Sequence, residues 1–283
     1  MKKFMTLCLV LLFGYVIFSL NSKPPENHLT KIKERGKLVV GTSPDFPPRE
    51  FYIINDKGEK EIVGSDIALS KAIADKLGVK LEFVTTDFNG VIANLQTGTI
   101  DLGISGLSWT KARESVMDFS TGYAQETGDN GYQGLLVSKA TADKFKTLDE
   151  LKAANLTIGA QGGSIQYELA LQITKPSSLK QYGTLDAAVL ALNAGDIKAM
   201  VVSTTSAEPL IEAFDNLTIL PRDVFDLDPE NKYATNVIGV PKNYDNTELL
   251  AIINEIIETA IKDGTMEKWE AEAKELSTKA LEE

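Results

Sequence analysis

One supersecondary plan occurs twice along this chain, and the repetition limits the folds that the chain can adopt. The end of a helix, a glycine, an isoleucine and a strand follow one another at residues 95–102 and again at residues 192–199. Each of these strands then reaches a serine, Ser105 in the first copy and Ser203 in the second. Two copies of one unit predict two lobes that are built in a similar way.

The elements around the repeat alternate between strand and helix. An apolar run at residues 37–41 predicts a buried strand, and apolar residues at helical spacing follow at residues 66–77, with Gly78 as the stop. The alternation continues with a strand, a helix and a strand at residues 81–84, 91–96 and 100–104. This order is typical of an α/β fold with mostly parallel sheets. Ligands bind such sheets beyond the carboxyl ends of the strands, so two facing lobes predict one cleft.

The loops at the predicted strand ends of the first lobe carry residues suited to a small ligand. Two prolines fix the backbone beside Phe46, and a fixed aromatic ring makes a wall for a small ligand. Phe88 follows the next strand and would form the opposite wall. The alternative for Phe46 is packing in the core of a lobe.

The stretch that most strongly indicates a ligand-binding site is a polar loop followed by an arginine. The loop offers the hydroxyls of Ser105 and Ser108 and the closely approachable amide of Gly106. Arg113 follows it, and a guanidinium binds a carboxylate through two parallel hydrogen bonds and stays charged. The alternative is a surface salt bridge with a neighbouring acid such as Glu114.

The second lobe offers a turn that leads into a helix. Gln161, Gly163 and Ser164 precede a helix that begins near Ile165. Backbone N–H groups at a helix N-terminus attract an anion, here the same carboxylate approached from the other lobe. The turn is no phosphate loop, because the required Gly-Lys-Ser/Thr element does not follow it.

Composition excludes several classes of function. The formal net charge is -11, so the chain lacks the basic surface that nucleic-acid binding needs. Cys8 and His28 are the only residues of their types, which excludes an internal disulfide and a zinc site built from Cys and His. His28 lies in a Pro-rich stretch and is interpreted as a solvated linker histidine. We expect no cofactor and no metal.

The beginning of the chain predicts export. Lys2 and Lys3 precede an uncharged, mostly apolar run at residues 4–20. Such a pattern is typical of a signal peptide, which implies passage across the cytoplasmic membrane to a periplasmic or cell-surface location. The run also reaches the lower length limit of a membrane-spanning helix. Residues 1–22 are therefore expected to form a signal peptide or an N-terminal membrane anchor, and residues 23–36 a linker.

Several short sequence segments, taken together and in order, resemble those of a known family. They stand at residues 37–42, 64–69, 95–101, 104–108 with Arg113, and 118–120. From about residue 33 to residue 269 the chain is similar to the polar amino-acid-binding proteins of bacterial ABC transporters. These are extracellular solute-binding proteins of family 3 with the type II periplasmic-binding-protein fold.

The resemblance implies how the chain is divided. It implies two crossings between the lobes, near residues 134–139 and 232–237, that form a two-strand hinge. The expected segments are lobe 1 at residues 37–134 and 235–276, lobe 2 at 135–234, and a tail at 277–283.

The resemblance also implies roles for the candidate residues. Arg113 would hold the α-carboxylate of an amino acid, and the loop at residues 105–108 would orient the ligand. Phe46 and Phe88 would sandwich the ligand side chain, and the turn at residues 163–165 would complete the carboxylate site.

Two positions need separate comment. Ser43 falls where an acidic or small polar residue is common in the family. Ser203 stands where these proteins usually carry an acid that pairs with the α-ammonium group, and a serine is a weaker, neutral acceptor. Either Glu126, Asp129 or Glu208 replaces that acid, or the ligand has no free α-ammonium group, or the protein binds weakly.

The function implied by the resemblance is that of a monomeric substrate-binding component of an ABC transporter. It would capture a polar amino acid or an amino-acid-like solute by closing its lobes, and deliver it to a permease and ATPase complex. Two alternatives stay open: a ligand-binding receptor or sensor, and a dehydratase-type enzyme on the same scaffold. Catalysis would need a positioned acid or base, and for want of a histidine in the cleft we expect no enzyme.

Overall fold

The computed structural model describes residues 25–126, 131–211 and 214–279. The predicted signal peptide or anchor at residues 1–22 lies outside this range, as do Asp129 and the end of the predicted tail. Among the described residues, no helix combines the length and the apolar character that crossing a membrane requires.

Strands and helices alternate along most of the described chain. The strands are β1 (Lys37–Thr42), β2 (Asp45–Phe46), β3 (Glu50–Ile54), β4 (Lys60–Val63), β5 (Lys80–Thr85), β6 (Leu102–Gly103), β7 (Met117–Phe119), β8 (Ala124–Gln125), β9 (Gln133–Ser138), β10 (Ile158–Gln161), β11 (Leu179–Tyr182), β12 (Ala199–Ser203), β13 (Leu217–Ile219), β14 (Thr235–Asn236) and β15 (Gly239–Pro241). The helices are α1 (His28–Arg35), α2 (Ser65–Leu77), α3 (Phe88–Thr97), α4 (Lys139–Ala142), α5 (Leu148–Ala153), α6 (Ile165–Ala170), α7 (Leu185–Ala194), α8 (Thr204–Ile211), α9 (Arg222–Phe225), α10 (Thr247–Lys262) and α11 (Thr265–Lys279).

Two five-stranded sheets share one plan. Their strand orders are β5-β1-β6-β15-β7 and β11-β10-β12-β9-β13. The first three strands of each order are parallel, and the fourth runs antiparallel to both of its neighbours. In each sheet, this fourth strand is the first strand of that sheet that the chain forms after it crosses from the other sheet. The α/β fold of two lobes with mostly parallel sheets is therefore confirmed, and the repeat extends to the whole topology of the lobes.

The glycines of the sequence repeat end equivalent helices. Gly98 follows α3 with φ of 68°, and Gly195 follows α7 with φ of 81°. Each amide donates back to carbonyls of the last helical turn, which is the usual way for a C-terminal glycine to stop a helix. Both helices then lead into the next parallel strand, at β6 and at β12.

Each lobe has its own hydrophobic core. Helix α10 returns to the first lobe and packs Leu249, Ile253 and Ile257 against the strands of the first sheet. The apolar face of α10 is therefore part of the core of the first lobe. The second sheet is covered on its two sides by separate clusters, one around Leu135 and Val201 and one around Leu136 and Val202.

The chain passes between the two sheets through a short antiparallel pair, β8 and β14. The second expected crossing, at residues 232–237, coincides with β14. The first, at residues 134–139, falls instead in β9, which is buried inside the second sheet, so the crossing lies earlier, at β8. The apolar run of β9 belongs to a central strand of lobe 2. The division of the chain into lobes at residues 134 and 234 stays a prediction.

The prediction of a linker at residues 23–36 is wrong for the second half of that range, because residues 28–35 form α1. His28 is 0% exposed: its Nδ1 lies 2.8 Å from Asn246 Oδ1 and its Nε2 lies 3.1 Å from Asp101 Oδ1. Its ring also stacks on Tyr244. The interpretation of His28 as a solvated histidine is therefore wrong. Its partners come from distant parts of lobe 1, and local composition carries no signal for them.

Candidate binding cleft

A cavity lies where the carboxyl ends of the parallel strands of the two sheets face each other. Ten of the twelve predicted site residues line it: Ser43, Phe46, Phe88, Ser105, Gly106, Ser108, Arg113, Gln161, Ser164 and Ile165. The other two adjoin it. Gly163 accepts a hydrogen bond from Arg113 through its carbonyl, and Ser203 donates one to Glu126, which lines the cavity. The structure thus brings the predicted residues together.

Arg113 is buried, with 7% of its surface exposed, and among the described residues its guanidinium has only neutral hydrogen-bond partners. Nη1 donates to the carbonyl of Ser108 (2.6 Å), and Nη2 donates across the cleft to the carbonyl of Gly163 (2.9 Å). Its guanidinium carbon lies 5.3 Å from the centre of the Phe88 ring. Burial lowers the pKa of Arg113 to about 10, so the group is still charged at neutral pH.

The surface salt bridge considered for Arg113 does not form. Glu114 pairs with Lys111 at 2.6 Å, and Asp118 lies 3.9 Å from Lys242. Glu168 acts on Arg113 through longer-range electrostatics, and among the described residues no carboxylate lies within 4.0 Å of the guanidinium. Buried cations are normally paired with an anion, and Arg113 is an exception.

The loop that carries Ser105 and Ser108 is anchored to the hinge. Ser108 Oγ donates to the carbonyl of Tyr233, and Asn236 Nδ2 donates to the carbonyl of Gly106. These contacts tie one wall of the cleft to β14, the strand through which the chain returns to lobe 1. The loop that precedes Arg113 is therefore hydrogen-bonded directly to the segment that joins the lobes.

The two predicted aromatic walls differ in their packing. Phe46 stands on β2 against Gly106, where an added Cβ would lie 2.6 Å from the ring, and its outer part packs on the second lobe. Phe88 is buried in a cluster of the first lobe and also lines the cavity beneath Arg113. The ring of Phe88 is therefore part of the core of the first lobe and also lines the cleft.

Five further residues line the cleft that were not predicted to do so from the sequence: Asp45, Glu50, Glu126, Gln133 and Gln166. Of these, only Glu126 was considered, as an alternative acid. Asp45 and Glu50 flank the two prolines beside Phe46, so a closer examination of that loop would have found them. Nothing in the neighbouring sequence indicates that Gln133 or Gln166 lines the cleft. Of the two further acids considered, Glu208 is exposed on α8 and does not line the cavity, and Asp129 lies outside the described residues.

Asp45 joins the two lobes. Its Oδ2 accepts hydrogen bonds from Gln161 Nε2 (2.8 Å) and from the backbone N–H of Leu185 (2.7 Å), both of which belong to the second lobe. Its Oδ1 accepts one from Ser43 within its own loop. Burial raises the pKa of Asp45 to about 6. Together with the contact between Arg113 and Gly163, these bonds hold the lobes in a closed arrangement.

Two further carboxyl groups lie together behind the loop of Ser105. Glu50 Oε1 accepts a hydrogen bond from Ser105 Oγ at 2.6 Å, and Asp66 Oδ2 accepts from the Gly106 amide and from the Tyr123 hydroxyl. Burial raises the pKa of Glu50 well above its ordinary value, and the charge of Asp66 adds to this rise. Burial also raises the pKa of Asp66.

A second buried arginine stands beside the cleft. Arg49, 4% exposed, donates to Glu270 Oε1 at 2.9 Å, and its Nε lies 3.8 Å from Glu126 Oε1. Burial alone would lower the pKa of Arg49, but the charges of Glu126 and Asp66 raise it above its usual value. This arginine is surrounded by carboxylates, in contrast to Arg113.

Comparison with known proteins agrees with this arrangement. The family model of the bacterial extracellular solute-binding proteins, family 3, matches residues 38–273. The L-cystine-binding protein TcyJ of Escherichia coli is 28% identical over 255 residues, which cover 89% of each chain.

Solved structures are similar in fold over the same range. The amino acid ABC transporter substrate-binding protein AbpA of Streptococcus pneumoniae, bound to L-arginine, is 33% identical with a TM-score of 0.78, and the match covers 88% of this chain and 99% of that one. An ancestral amino-acid-binding protein, described as a precursor of cyclohexadienyl dehydratase, is 29% identical with a TM-score of 0.69, over 86% of this chain and 98% of that one.

Proposed function

This chain belongs to family 3 of the bacterial extracellular solute-binding proteins, and we propose that it captures an amino acid or a close relative and delivers it to an ABC permease and its ATPase. Its relatives include a protein named for the binding of L-cystine and one whose structure was solved bound to L-arginine. The ligand is proposed to lie in the cavity between the lobes, between Phe46 and Phe88.

The observation that carries this proposal is the unpaired charge of Arg113. A guanidinium has five N–H donors, and its side chain makes two hydrogen bonds to described residues, both to carbonyls. The remaining donors of a buried cation favour a carboxylate, which can accept two of them in parallel. An amino acid supplies that group, and its binding would compensate for the burial of the arginine.

Closure of the lobes would then be coupled to binding. Arg113 already reaches the Gly163 carbonyl across the cleft, and Asp45 reaches Gln161 and Leu185. A ligand that contacts both walls stabilises the closed arrangement by its differential affinity for it. A permease that recognises the closed arrangement would thereby receive only loaded protein. We propose a periplasmic or cell-surface location, reached through the N-terminal segment.

The proposal is tested by calorimetric titration and thermal unfolding with amino acids, short peptides and amino-acid derivatives. A ligand at 100 times its Kd should add about 2.7 kcal/mol to the free energy of unfolding. Arg113→Ala should cost about 2–5 kcal/mol of binding free energy, as expected for a buried charge pair. The matched control is Lys111→Ala, which removes one positive charge from the same loop at an exposed position. If no candidate binds saturably, or if both variants bind alike, the proposal fails.

We further propose that the ligand is bound without being transformed. An enzyme on this scaffold would need a positioned acid, and Glu50 is a buried carboxyl with a raised pKa in the cleft. The similarity to a precursor of a dehydratase makes this a specific alternative. Incubation of the purified protein with a cyclic dienyl acid, followed by chromatography, distinguishes the two. Turnover that is lost in Glu50→Gln would establish the enzyme.

A sensor that signals without transport is the remaining alternative. Co-purification with a permease and an ATPase, strengthened by the ligand, supports the transport role. Ligand binding with no association with these partners would favour the sensor.

A further inference from the structure

His28 is the only histidine of the chain, and it is buried in lobe 1 and does not line the cleft. It is the first residue of α1. Nδ1 of its ring lies 2.8 Å from Asn246 Oδ1, and Nε2 lies 3.1 Å from Asp101 Oδ1. Both ring nitrogens thus face an oxygen atom, and the other contacts of Asn246 and Asp101 decide which nitrogen carries a proton.

The side-chain amide of Asn246 has a fixed orientation. Its Nδ2 donates to Asp118 Oδ2 at 2.9 Å and to the carbonyl of Pro241 at 2.8 Å. Both of these partners are acceptors, so a reversed amide would set its oxygen against two other oxygens. Asn246 Oδ1 therefore faces His28. Because an amide oxygen can only accept, His28 Nδ1 must carry a proton.

The other ring nitrogen faces a carboxylate that is already held by donors. Asp101 Oδ2 accepts from the backbone N–H of Val39 at 2.7 Å and from Arg35 Nη2. A nearby cation and hydrogen-bond donors favour the charged form of a carboxyl group, so Asp101 Oδ1 is an acceptor for His28 Nε2. A neutral imidazole has only one N–H group. Both contacts of His28 are therefore hydrogen bonds only when the ring is an imidazolium.

An aromatic ring on one face of His28 also favours the positive charge. The ring of Tyr244 stacks on it, with the ring centres 4.3 Å apart and the planes 21° from parallel. Lys31 Nζ lies 4.7 Å from the centre of the same tyrosine ring. The face of an aromatic ring attracts a cation electrostatically, and this attraction acts on an imidazolium and not on a neutral imidazole.

The charged side chains around His28 come from α1, from the segment before β6, from β7 and from the segment before α10. They form three contacts between opposite charges: Lys31 with Glu26, Arg35 with Asp101, and Lys242 with Asp118. The remaining acid next to them, Asp245, is exposed and accepts from the backbone N–H of Thr247. Among the described residues, Asp101 is the charged group within hydrogen-bonding distance of the His28 ring.

We propose that His28 is an imidazolium in the folded protein, and that its second ring proton holds α1 on lobe 1, so that this attachment weakens as pH rises. The two hydrogen bonds join α1 to the residue before β6 and to the start of α10. Without the second proton, one ring nitrogen would set a lone pair against an oxygen. Helix α1 connects lobe 1 with the N-terminal segment at residues 1–22, so the same proton governs how firmly that segment is attached.

The direction of the pH dependence follows from the two contacts. The folded protein binds the second proton through Asp101 and Asn246, and the unfolded chain lacks these partners. The stabilisation is therefore fully present at low pH and is lost as pH rises and the folded protein gives up this proton.

The charge of His28 can be measured directly, because the chain has no other histidine. The probe is the ligand-free protein, labelled with 15N and purified without a histidine tag. At about pH 7 an unperturbed histidine is mostly neutral. Nitrogen NMR at that pH should show a proton on both ring nitrogens of folded His28. A single protonated ring nitrogen would overturn the proposal.

Urea unfolding as a function of pH tests the consequence for stability. His28→Gln keeps one amide donor and does not titrate. The equilibrium constant for folding of the wild type, divided by that of His28→Gln, should fall by about 10- to 100-fold between about pH 5 and pH 9, the range of a hydrogen bond to a charged group. Groups elsewhere in the chain titrate in both proteins. Parallel pH profiles would contradict the proposal.

The matched control is Tyr244→Phe, which keeps the stacked ring and removes only the hydroxyl that accepts from Lys31. Its pH profile should follow that of the wild type, and a profile that follows His28→Gln instead would assign the effect to the hydroxyl. If His28→Gln does not fold, hydrogen exchange of the wild type provides the second measurement. Protection of the amides of α1, relative to those of α7 in lobe 2, should decrease as pH rises, and constant relative protection would overturn the pH-sensitive attachment.

Discussion

Two arginines are buried beside this cleft, and they stand in opposite surroundings. Arg49 is 4% exposed and faces the carboxylates of Glu126 and Glu270. Arg113 is 7% exposed and donates to two backbone carbonyls. The two surroundings shift the pKa values of the arginines in opposite directions. Neighbouring carboxylates raise the pKa of Arg49, whereas burial lowers the pKa of Arg113 to about 10.

The contrast indicates which charge serves folding and which serves binding. A buried cation among acids is part of the folded structure, since its removal leaves those acids uncompensated. A buried cation with neutral partners is costly to keep, and such a cost is expected where a ligand provides the counter-charge. The neutral surroundings of Arg113 therefore support its proposed contact with the carboxylate of the ligand.

The largest expected effect concerns folding stability. Arg49→Met should lower the free energy of unfolding by about 3–5 kcal/mol, because Glu126 and its neighbours lose their buried counter-charge. Arg113→Met should cost clearly less in the ligand-free protein, since no carboxylate is left unpaired by it. Urea unfolding of both variants without ligand measures the difference. Equal losses would remove the distinction between the two arginines.

The next prediction concerns the contact across the cleft at Gly163. This residue has φ of +74°, and an added Cβ would lie 2.9 Å from Asn89 Oδ1 and 3.3 Å from Asn89 Cα, in the other lobe. Gly163→Ala should weaken ligand binding by about 1–3 kcal/mol, because the strained residue collides with lobe 1 only when the lobes close.

Gly58 provides the matched control for that variant. It has the same φ of +74°, and an added Cβ meets nothing within 4 Å. Gly58→Ala carries the backbone strain without the contact and should leave affinity unchanged. Small-angle scattering with saturating ligand should show a larger radius of gyration for Gly163→Ala than for Gly58→Ala. If both variants bind alike, Gly163 is not involved in closure.

The smallest expected effect is a pH dependence that comes from Asp45. The pKa of this group is raised to about 6 in the closed arrangement, from an ordinary value of 3.8, chiefly by burial. Its contribution to closure is therefore fully present below pH 3.8 and is lost as pH rises through about 6. Ligand affinity should fall by about tenfold between pH 5 and pH 8 through this group.

The contribution of Asp45 is isolated by a variant that keeps its shape. In Asp45→Asn, the amide oxygen can still accept from Gln161 and Leu185, but the group no longer titrates. Calorimetry at both pH values should then show a dependence that is smaller by the same factor of about ten. Glu50 and Asp66 titrate in both proteins, and because the charge of Asp45 helps to raise the pKa of Glu50, the comparison measures Asp45 together with its effect on Glu50. An unchanged pH profile would contradict the role of Asp45.

The sequence was sufficient for the architecture and for the position of Arg113. Helix ends at Gly98 and Gly195, and the strands that follow them, are local patterns, because a glycine that ends a helix and an apolar run that forms a buried strand depend on neighbours in the chain. The position of Arg113 beyond a strand end also follows from connectivity, since parallel strands place their carboxyl ends at one edge of the sheet.

The tertiary structure alone decided where the remaining charges lie. Glu126 meets Ser203, 77 positions away in the chain, and Asp45 meets Leu185, 140 positions away. His28 is buried through Asp101 and Asn246, at separations of 73 and 218 positions. Hydrogen bonds and ion pairs act over a few ångströms, so the sequence cannot assign these partners until folding has brought them together. The position of Arg113 was thus predictable from local pattern, whereas the surroundings of Glu126 exist only in the assembled lobes.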